Sequence, residues 1–352
     1  MHAQREEPSK PAWSRDLLDS LSPPETEEPY FDDVLGPWVL SRHADILAAL
    51  RSPALSPTGP HSRRIPQSHD ERTRLKAREE TLEVLSPAQL RAWSDRLTPE
   101  VRALADSMPA GRPVDIISEY ARPLGLILAA IVTGVDFAKA KSLDETARRV
   151  SAYAAEPYDP TLRSGAKSAS AELGRCFHSG PEALRDSGFV ALSQTMPCLL
   201  GNAWFVLLRH PLQWGLLHRQ PEMMEQALEE LLRYACLSRI LFRMAGEDVD
   251  LNGFLIRKGQ RIILRIVAAN RDPERFVHAN QLDITRPGAG HLTLGAGLHS
   301  CVGASLIRMG AVAITHPLLK RFVTANLMQP VEWHGGSGFR SPLSLWVDFS
   351  EA

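Results

Sequence analysis

Apolar residues recur along most of this chain at the three- and four-residue spacing that is typical of helices. The spacing predicts helices at residues 43–51, 88–107, 114–134, 141–155, 161–177, 184–209, 221–234 and 303–322. Residues 247–265 instead have the pattern of short strands, with a hairpin turn predicted at Asn252-Gly253. The sequence therefore predicts a mainly α fold with a minor β component.

The predicted helix at 184–209 contains Pro197, and Pro211 ends it. A proline inside a helix removes a hydrogen bond and clashes with the preceding turn, at a cost of about 3 kcal/mol. The carbonyl group freed near Ser193 can then bind a water molecule or a substrate. We therefore expect a groove at this point of the helix.

Composition indicates one large domain. The chain has 352 residues, of which 44% are hydrophobic, and this is enough for a large core. The sequence contains no Gly/Ser-rich linker and no internal repeat. We predict a single domain at 26–352, preceded by a charged, proline-rich and disordered segment at 1–25.

Net charge and the number and spacing of cysteines indicate the cellular compartment and the kinds of partner. A formal net charge of −1 argues against a dedicated nucleic-acid binder. Four cysteines without paired spacing are typical of a reducing cytoplasm. The N-terminus is polar, and apolar stretches such as Leu124–Val132 are too short to span a bilayer. The sequence predicts a cytoplasmic protein without nucleic-acid or membrane partners.

The most informative chemistry lies at Cys301, in the glycine-rich stretch 294–303 that precedes a predicted helix. Glycines at 295, 297 and 303 suit a backbone that turns sharply and approaches something large and flat. A cysteine before a helix lies near the positive end of the helix dipole, which favours the thiolate. Such a thiolate can be the axial ligand of heme iron. A lone cysteine is more often a structural residue, but the spacing of the whole loop favours the ligand.

The stretch 294–303 resembles the heme-binding loop of the cytochrome P450 family, Phe-Gly-x-Gly-x-His-x-Cys-x-Gly, with Leu294 in place of Phe. Further similarities to soluble bacterial members follow in order over roughly residues 30 to 349. They lie at 38–46, 230–233, 269–274 and 330–333. The resemblance implies the cytochrome P450 fold, with heme b as cofactor and Cys301 as ligand of its iron.

A buried ionic brace is also implied. Glu230 and Arg233 match the family's Glu-x-x-Arg and lie three residues apart, so they share a helix face. Without the resemblance they would be read as a surface ion pair, which contributes little to stability. By alignment the third partner is Gln281, a neutral and weaker group.

Heme propionates need cationic or hydrogen-bonding partners. The resemblance implies four candidates in this chain, which are Arg72, Lys76, Arg243 and His299. Arg72 and Lys76 stand where the family carries His and Arg, so both substitutions keep positive charge. The alternative for these two residues is a solvated basic face.

Over the open face of the iron the family normally carries Ala-Gly-x-Asp/Glu-Thr. The corresponding residues 191–195 are Ala-Leu-Ser-Gln-Thr, so Thr195 is retained and Gln194 replaces the acid. Glutamine does not titrate and cannot act as an acid. Three outcomes are open: the substrate supplies the missing polar group, protons move through Ser193, Thr195 and water, or the enzyme performs other chemistry.

The resemblance places Ser193, Arg239, Ile240 and Leu241 at the substrate pocket. Arg239 either meets an anionic group of the substrate or points outward into solvent. Fewer residues than usual remain between Ser52 and Arg72, where the family has its lid. We expect a pocket that is more open, or that a partner or a carrier-bound substrate covers.

The implied activity is oxidation of a small organic molecule of specialised metabolism. Electrons would come from a ferredoxin and a ferredoxin reductase. The first alternative is a heme-thiolate enzyme with peroxide-driven, rearrangement or dehydration chemistry. The second is a catalytically degenerate heme-binding homologue.

Overall fold

The computed structural model describes residues 26–33, 36–59, 68–178, 184–288, 290–328 and 330–351. The segment predicted to be disordered, 1–25, lies outside the described residues. Residues 60–67, which belong to the predicted short lid, also lie outside them. The predicted division of the chain into a disordered segment at 1–25 and a single domain at 26–352 stays a prediction.

Helices make up most of the described chain. The α-helices are α1 His43–Arg51, α2 Ser68–Val84, α3 Pro87–Ser107, α4 Arg122–Thr133, α5 Phe137–Ala155, α6 Pro160–Gly174, α7 Asp186–Val190, α8 Met196–Leu208, α9 Pro211–Arg219, α10 Met224–Tyr234, α11 Ile266–Ala269 and α12 Ala304–Arg321. Two π-helical turns, Ile117–Ala121 and Ala191–Thr195, lead into α4 and α8. Short 3₁₀ turns occur at Pro221–Met223 and Gly297–His299.

The strands are short. They are β1 Tyr30–Phe31, β2 Pro37–Leu40, β3 Leu55–Pro57, β4 Pro113–Asp115, β5 Ile240–Ala245, β6 Val249–Leu251, β7 Phe254–Ile256, β8 Arg261–Arg265, β9 Thr324–Leu327, β10 Trp333–Gly335, β11 Arg340–Pro342 and β12 Trp346–Ser350. One sheet has the order β1-β2-β8-β5-β3 and another β4-β12-β9. Two hairpins, β6–β7 and β10–β11, complete the β structure, and the predicted fold class is confirmed.

Two predicted helices begin at other residues because side chains cap them differently. The predicted helix 114–134 starts as strand β4, where Asp115 Oδ1 accepts hydrogen bonds from the N–H groups of Ile117 and Leu345. The predicted helix 141–155 begins earlier, at Phe137, because Asp136 caps it by accepting from the Lys139 N–H.

Helices α2 and α9 were not predicted. Helix α2 has few apolar residues, so it lacks the periodic pattern on which the prediction depended. Helix α9 begins at Pro211, which the prediction used as a stop but which is also a favoured first residue of a helix.

The core lies where α3, α4, α8 and α12 pack together. Buried apolar side chains from these four helices form one cluster. Two hydrogen bonds cross it, from the Tyr120 hydroxyl to the Ile314 carbonyl (2.9 Å) and from Trp204 Nε1 to Thr315 Oγ1 (3.1 Å). A second cluster covers the β2–β8–β5 sheet with α1.

The segment Asp186–Leu208, which comprises α7, the second π turn and α8, is the central helix of this bundle. Its 23 residues are long and apolar enough to cross a bilayer, so the expectation that all apolar stretches are too short was wrong. However, 72% of its apolar window is buried inside the protein. We therefore interpret it as a core helix.

The second π turn packs tightly against α4. A Cβ atom on Gly125 would lie 2.8 Å from the Leu192 carbonyl oxygen and 2.9 Å from Pro197 Cγ. The π turn and the proline ring that follows it therefore fit only because position 125 has no side chain.

We predict that Gly125→Ala destabilises the fold by about 1–3 kcal/mol, because overpacking must displace backbone as well as side-chain atoms. Gly165→Ala is the matched control, since this half-buried glycine of α6 has nothing within 4 Å of an added Cβ. Removing a helical glycine there should stabilise by about 0.5–1 kcal/mol. Urea unfolding of both variants measures the difference, and equal stability changes would contradict the prediction.

Candidate functional site

The loop before α12 holds Cys301 in a defined conformation. Gly295 and Gly297 have φ values of 70° and 69°, in the left-handed region that favours glycine. The Cys301 N–H donates to the Leu294 carbonyl at 2.7 Å and closes the loop. A Cβ on Gly297 would lie 2.7 Å from the Leu50 carbonyl oxygen, so the loop rests directly on the end of α1.

Burial raises the pKa of the Cys301 thiol. A hydrogen bond from the Gly303 N–H and the positive charges of Arg78 and Arg308 act in the opposite direction without cancelling this effect. The position before a helix, which we expected to favour the thiolate, does not offset the effect of burial on this pKa. A metal cation at the sulfur would supply the charge that the thiolate needs.

Arg78 is the cation of α2 that contacts the cysteine loop. Its Nη1 donates to the Ser300 carbonyl (2.5 Å) and its Nη2 to Ser300 Oγ (2.9 Å). Arg72 and Lys76 are exposed, and Lys76 lies two residues before Arg78, on another side of the helix. The sequence reasoning missed Arg78 because α2 carries several cations and no apolar stripe that would reveal its inward face.

The other two candidates for propionate binding lie in the loop itself and in strand β5. His299 ends the 3₁₀ turn Gly297–His299 and is half-buried. Arg243 is buried in β5, where its Nη1 donates to the Phe242 carbonyl at 2.9 Å. Their roles stay predictions.

Glu230 and Arg233 form a buried ion pair rather than a surface pair. Their side chains are 1% and 0% exposed, and two hydrogen bonds of 2.7 and 2.8 Å join them. Arg233 also donates to the carbonyls of Asn270 and Ala279, both at 2.8 Å. The Gln281 carbonyl accepts from it at 3.2 Å. Such a pair fixes the segment that contributes these carbonyls.

The third charged partner of the brace is Arg286, which corrects the prediction of the Gln281 side chain. Arg286 Nε lies 3.1 Å from Glu230 Oε2. The Asp283 N–H donates to Glu230 Oε1 at 3.0 Å, and this bond turns the chain so that Arg286 reaches the carboxylate. Gln281 contributes its main-chain carbonyl instead.

The brace connects to the cysteine loop through Asn270. Its Oδ1 accepts from the Leu292 N–H, and its Nδ2 donates to Thr293 Oγ1, both at 2.8 Å. The Thr293 hydroxyl in turn donates to the Leu232 carbonyl of α10 at 2.6 Å. The residues that lead into the loop are thus fixed to the helix that carries the brace.

A second clamp joins α10 to α12. Glu229 accepts from Arg308 Nε (2.5 Å) and Nη2 (2.9 Å), and His291 Nε2 lies 3.3 Å from it. Burial alone would raise the pKa of the Glu229 carboxyl, but the hydrogen bonds from Arg308 and the nearby His291 ring lower it to about 2. This clamp holds α12 beside the loop.

In the π turn, Gln194 binds a carboxylate from another helix. Gln194 Nε2 donates to Asp144 Oδ1 of α5 at 2.7 Å and lies 3.2 Å from Ser193 Oγ. The buried Ser193 hydroxyl donates to the Phe189 carbonyl at 2.7 Å. Asp144 also pairs with Arg148 at 2.5 Å. The sequence offered no signal for Asp144, which lies fifty residues before Gln194.

One face of the central helix is open although the rest is mostly buried. Ser187 and Ala191 are exposed and Thr195 is half-buried, and these residues recur every fourth position. This face can therefore border a cavity, with the threonine hydroxyl at its edge.

The predicted pocket residues lie mostly inside the protein. Arg239 is 7% exposed, so the alternative that it points outward into solvent was wrong. Ser193 and Ile240 are buried and Leu241 is half-buried. Arg239 is buried because its main chain is bonded to the β10–β11 turn, through its N–H and the Gly338 carbonyl (2.9 Å).

The end of α5 packs against the β10–β11 turn, next to the predicted pocket residue Arg239. The N–H groups of Gly338 and Phe339 donate to the Ala155 carbonyl, at 2.9 and 3.2 Å. The Ser337 hydroxyl donates to Glu156 Oε1 at 2.7 Å. A more open pocket is therefore not found here, and much of the predicted lid lies outside the described residues.

These observations fit a heme group bound through Cys301. The sulfur accepts a hydrogen bond from a backbone N–H, and the loop places the glycines where a flat group can approach. Arg78, which contacts the loop, and the buried Arg243 are the candidate cations for propionates. The open face of the central helix carries Thr195. These positions remain candidates for their roles.

Comparison with known proteins agrees with this geometry. Residues 217–332 match the family model described as Cytochrome P450. The chain is 30% identical to Vitamin D(3) 25-hydroxylase of Pseudonocardia autotrophica over 79% of this chain and 78% of that protein. It is 28% identical to Nocardicin C N-oxygenase of Nocardia uniformis subsp. tsuyamanensis over 91% of this chain and 90% of that protein.

A solved structure also matches. The crystal structure of P450BioI in complex with hexadec-9Z-enoic acid ligated acyl carrier protein superposes with a TM-score of 0.80 at 25% identity. The match covers 95% of this chain and 96% of that one. It confirms the fold that the resemblance implied.

The Glu229 clamp generates a pH prediction. The Glu229 pKa falls from 4.5 to about 2 on folding, so its contribution is present above pH 4.5 and is lost as the pH falls through 2. After allowance for solvent screening, we expect Glu229→Gln to cost about 1–2 kcal/mol at pH 7. In urea unfolding, the difference in the free energy of unfolding between Glu229→Gln and the wild type should shrink as the pH falls from 4.5 to 2.

Glu225→Gln is the control, because this residue is exposed one turn earlier in α10. A gap between Glu229→Gln and the wild type that stays constant over the same pH range would show that the ion pair does not cause it.

Proposed function

The chain belongs to the cytochrome P450 family, and we propose that it uses dioxygen and external electrons to oxidise a small organic molecule of specialised metabolism. The family assignment makes it a heme-thiolate oxidoreductase whose cofactor is heme b. Related proteins named as a hydroxylase and an N-oxygenase support monooxygenase activity.

The observation that carries the proposal is the closed loop around Cys301. We propose its sulfur as the axial ligand, because the loop fixes its position through the Cys301–Leu294 backbone bond and the Gly303 N–H. A backbone donor to a ligating sulfur stabilises its negative charge. When bound through a thiolate, heme supplies the redox chemistry that activates dioxygen.

We assign propionate binding to Arg78, His299 and Arg243. Arg78 takes precedence over Lys76 because it already contacts Ser300 of the loop. Arg72 and Lys76 are exposed on α2, which supports the alternative of a solvated basic face for them.

For proton delivery we propose Asp144 as the acid that Gln194 no longer provides. Gln194 donates to the Asp144 carboxylate at 2.7 Å and so positions a titratable group beside the π turn. The Asp144 side chain is 30% exposed, so solvent water can reach its carboxylate. Thr195, on the open face, orders the water molecules that receive them.

This arrangement favours monooxygenation over the alternatives. The presence of Gln194 in place of the family's acid would by itself favour peroxide-driven or redox-neutral chemistry, which needs no proton relay. The Asp144 carboxylate supplies the missing group from α5. The retained threonine and the closed cysteine loop also argue against a degenerate homologue.

We propose that a ferredoxin and its reductase supply the electrons, as is usual in this family. We also propose that the protein is cytoplasmic, since its relatives come from bacteria. The structural relative bound to a loaded acyl carrier protein supports a carrier-bound substrate as one option for this chain.

The ligand assignment predicts a spectral result. The heme-loaded, reduced, carbon monoxide-bound protein should absorb near 450 nm, and Cys301→Ser should remove that band because an alkoxide is a much poorer ligand than a thiolate. Cys176→Ser, at a half-buried cysteine whose Sγ lies 3.6 Å from the Glu172 carbonyl, is the control. A Cys301→Ser protein that keeps the band would refute the assignment.

The Asp144 assignment predicts a difference between two ways of driving the enzyme. Asp144→Asn should lower ferredoxin-driven product formation at least tenfold, because proton transfer by a positioned group contributes roughly 10²–10⁴-fold. Peroxide-driven product formation from the same substrate should stay within about twofold, since peroxide brings its own protons. The test substrate is chosen from a spectral binding screen, as the first compound that is oxidised both with the ferredoxin system and with peroxide.

The neighbouring Glu145→Gln is the matched control, because Glu145 is 73% exposed on the same helix. If Asp144→Asn lowered both rates equally, the carboxylate would be structural. If it lowered neither, proton delivery would run through another group.

A further inference from the structure

Three arginines meet at one corner of the predicted pocket. Arg239 precedes β5, Arg265 ends β8 and Arg340 begins β11. Arg239 is 7% and Arg265 is 4% exposed. Arg340 lies near enough to Arg239 to lower the pKa of its guanidinium, and Arg265 does the same.

The backbone explains why they meet. Ile240 pairs directly with Arg265 across the β5–β8 ladder, so Arg239 lies one residue beyond that pair. A bridge between Ser238 and Phe339 then brings β11 beside the same point. The corner is therefore built by strands of two separate β elements.

Arg239 and Arg265 have no acidic partner among the described residues. Their Nε atoms are buried, and no described group accepts a hydrogen bond from either. Burial, together with the charges of Arg340 and Arg265, lowers the pKa of Arg239 to about 10. Guanidinium groups in such a place cost folding free energy unless an anion pairs with them.

Arg233 shows the contrast within the same chain. It is more deeply buried, yet Glu230 and three backbone carbonyls receive its donors. The donors of Arg233, an arginine with a structural role, thus all have acceptors. Among the described residues, Arg239 and Arg265 lack such partners, so their donors can bind an anion.

The surroundings indicate what kind of anion fits. Ile240 and Ile263 pack with Phe242 and Tyr158 beside the corner, and the ring of Trp333 lies 4.9 Å from the Arg340 guanidinium. An apolar wall next to a cationic end suits an amphiphilic ligand. Guanidinium groups bind a carboxylate through two parallel hydrogen bonds.

We propose that Arg239 and Arg265 bind the carboxylate of an organic acid with an apolar body, and that this acid is the substrate of the enzyme. The inference rests on the proposed function, because it places the substrate in the pocket of a heme-thiolate oxidase. It adds the chemical class of the substrate and names Arg265 as a further binding residue.

Spectral titration of the heme-loaded protein tests the pairing. The probes are benzoate, octanoate and dodecanoate, each compared with its methyl ester. At least one acid should bind tenfold or more tighter than its ester. Arg239→Met and Arg265→Met should each weaken that acid at least tenfold and leave the ester within about twofold.

Arg257→Gln, at an arginine that is 64% exposed, is the control and should leave both affinities unchanged. The proposal fails if no acid binds, if every ester binds as well as its acid, or if the variants lose acid and ester alike. A wild-type band near 450 nm in the same preparation would show that the proposed function stands when this inference fails.

A second test needs no ligand. Replacing an unpaired buried charge with an apolar side chain of similar length should stabilise the protein. We expect Arg239→Met to raise the Tm of the heme-loaded protein by about 2 °C or more, with the heme content unchanged. A lower Tm with loss of heme would mean that Arg239 binds a propionate, and would overturn the assignment to substrate.

Discussion

The buried pair of Glu230 and Arg233 is the constraint on which the position of the cysteine loop depends. Arg233 donates two hydrogen bonds, of 2.7 and 2.8 Å, to the Glu230 carboxylate, and its remaining donors bind main-chain carbonyls between residues 270 and 281. Asn270, fixed at its carbonyl by Arg233, uses its side chain to hold residues 292 and 293, immediately before the loop. A charge pair isolated from water thus sets the location of a sulfur atom some seventy residues further along the chain.

The central helix shows how one substitution requires others. Leu192, Gln194 and Pro197 stand where a helix of this family is expected to carry a glycine, an acid and no proline. The structure accommodates them with a π turn, and π turns inside helices are often found at functional sites. The wider turn needs space, which Gly125 of α4 provides, and Gln194 needs a carboxylate partner, which Asp144 of α5 provides. In the relay proposed above, Asp144 of α5 takes the place of the acid that this family normally carries in its central helix.

The sequence predicted those parts of the fold in which periodicity or glycine spacing carries the information. Helix α1 and the core helices follow their apolar spacing, and the glycines at 295 and 297 identified the loop of Cys301. The inward face of α2 could not be predicted, because a helix without an apolar stripe gives no rotational register, and Arg78 was missed for that reason. Asp144 and Arg286 could not be predicted either, since each meets its partner through tertiary contacts across about fifty residues. The helical segments begin at Phe137 and Ile117 because the side chains of Asp136 and Asp115 accept hydrogen bonds there, and apolar periodicity does not reveal such bonds.

The buried arginines divide into two physical classes, and this division separates structure from function. In the brace, hydrogen bonds to Glu230 and to carbonyl oxygens offset the desolvation of Arg233. These buried carbonyl oxygens would otherwise lack donors, so the same bonds also satisfy them. At the pocket corner, Arg239 and Arg265 are also buried, but they repel each other and lack an acidic partner among the described residues. Selection for stability alone would replace them with apolar residues, since such replacements are commonly neutral or stabilising. Their presence therefore argues that a ligand completes the corner, and the apolar wall beside it restricts that ligand to one with a charged end and an apolar body.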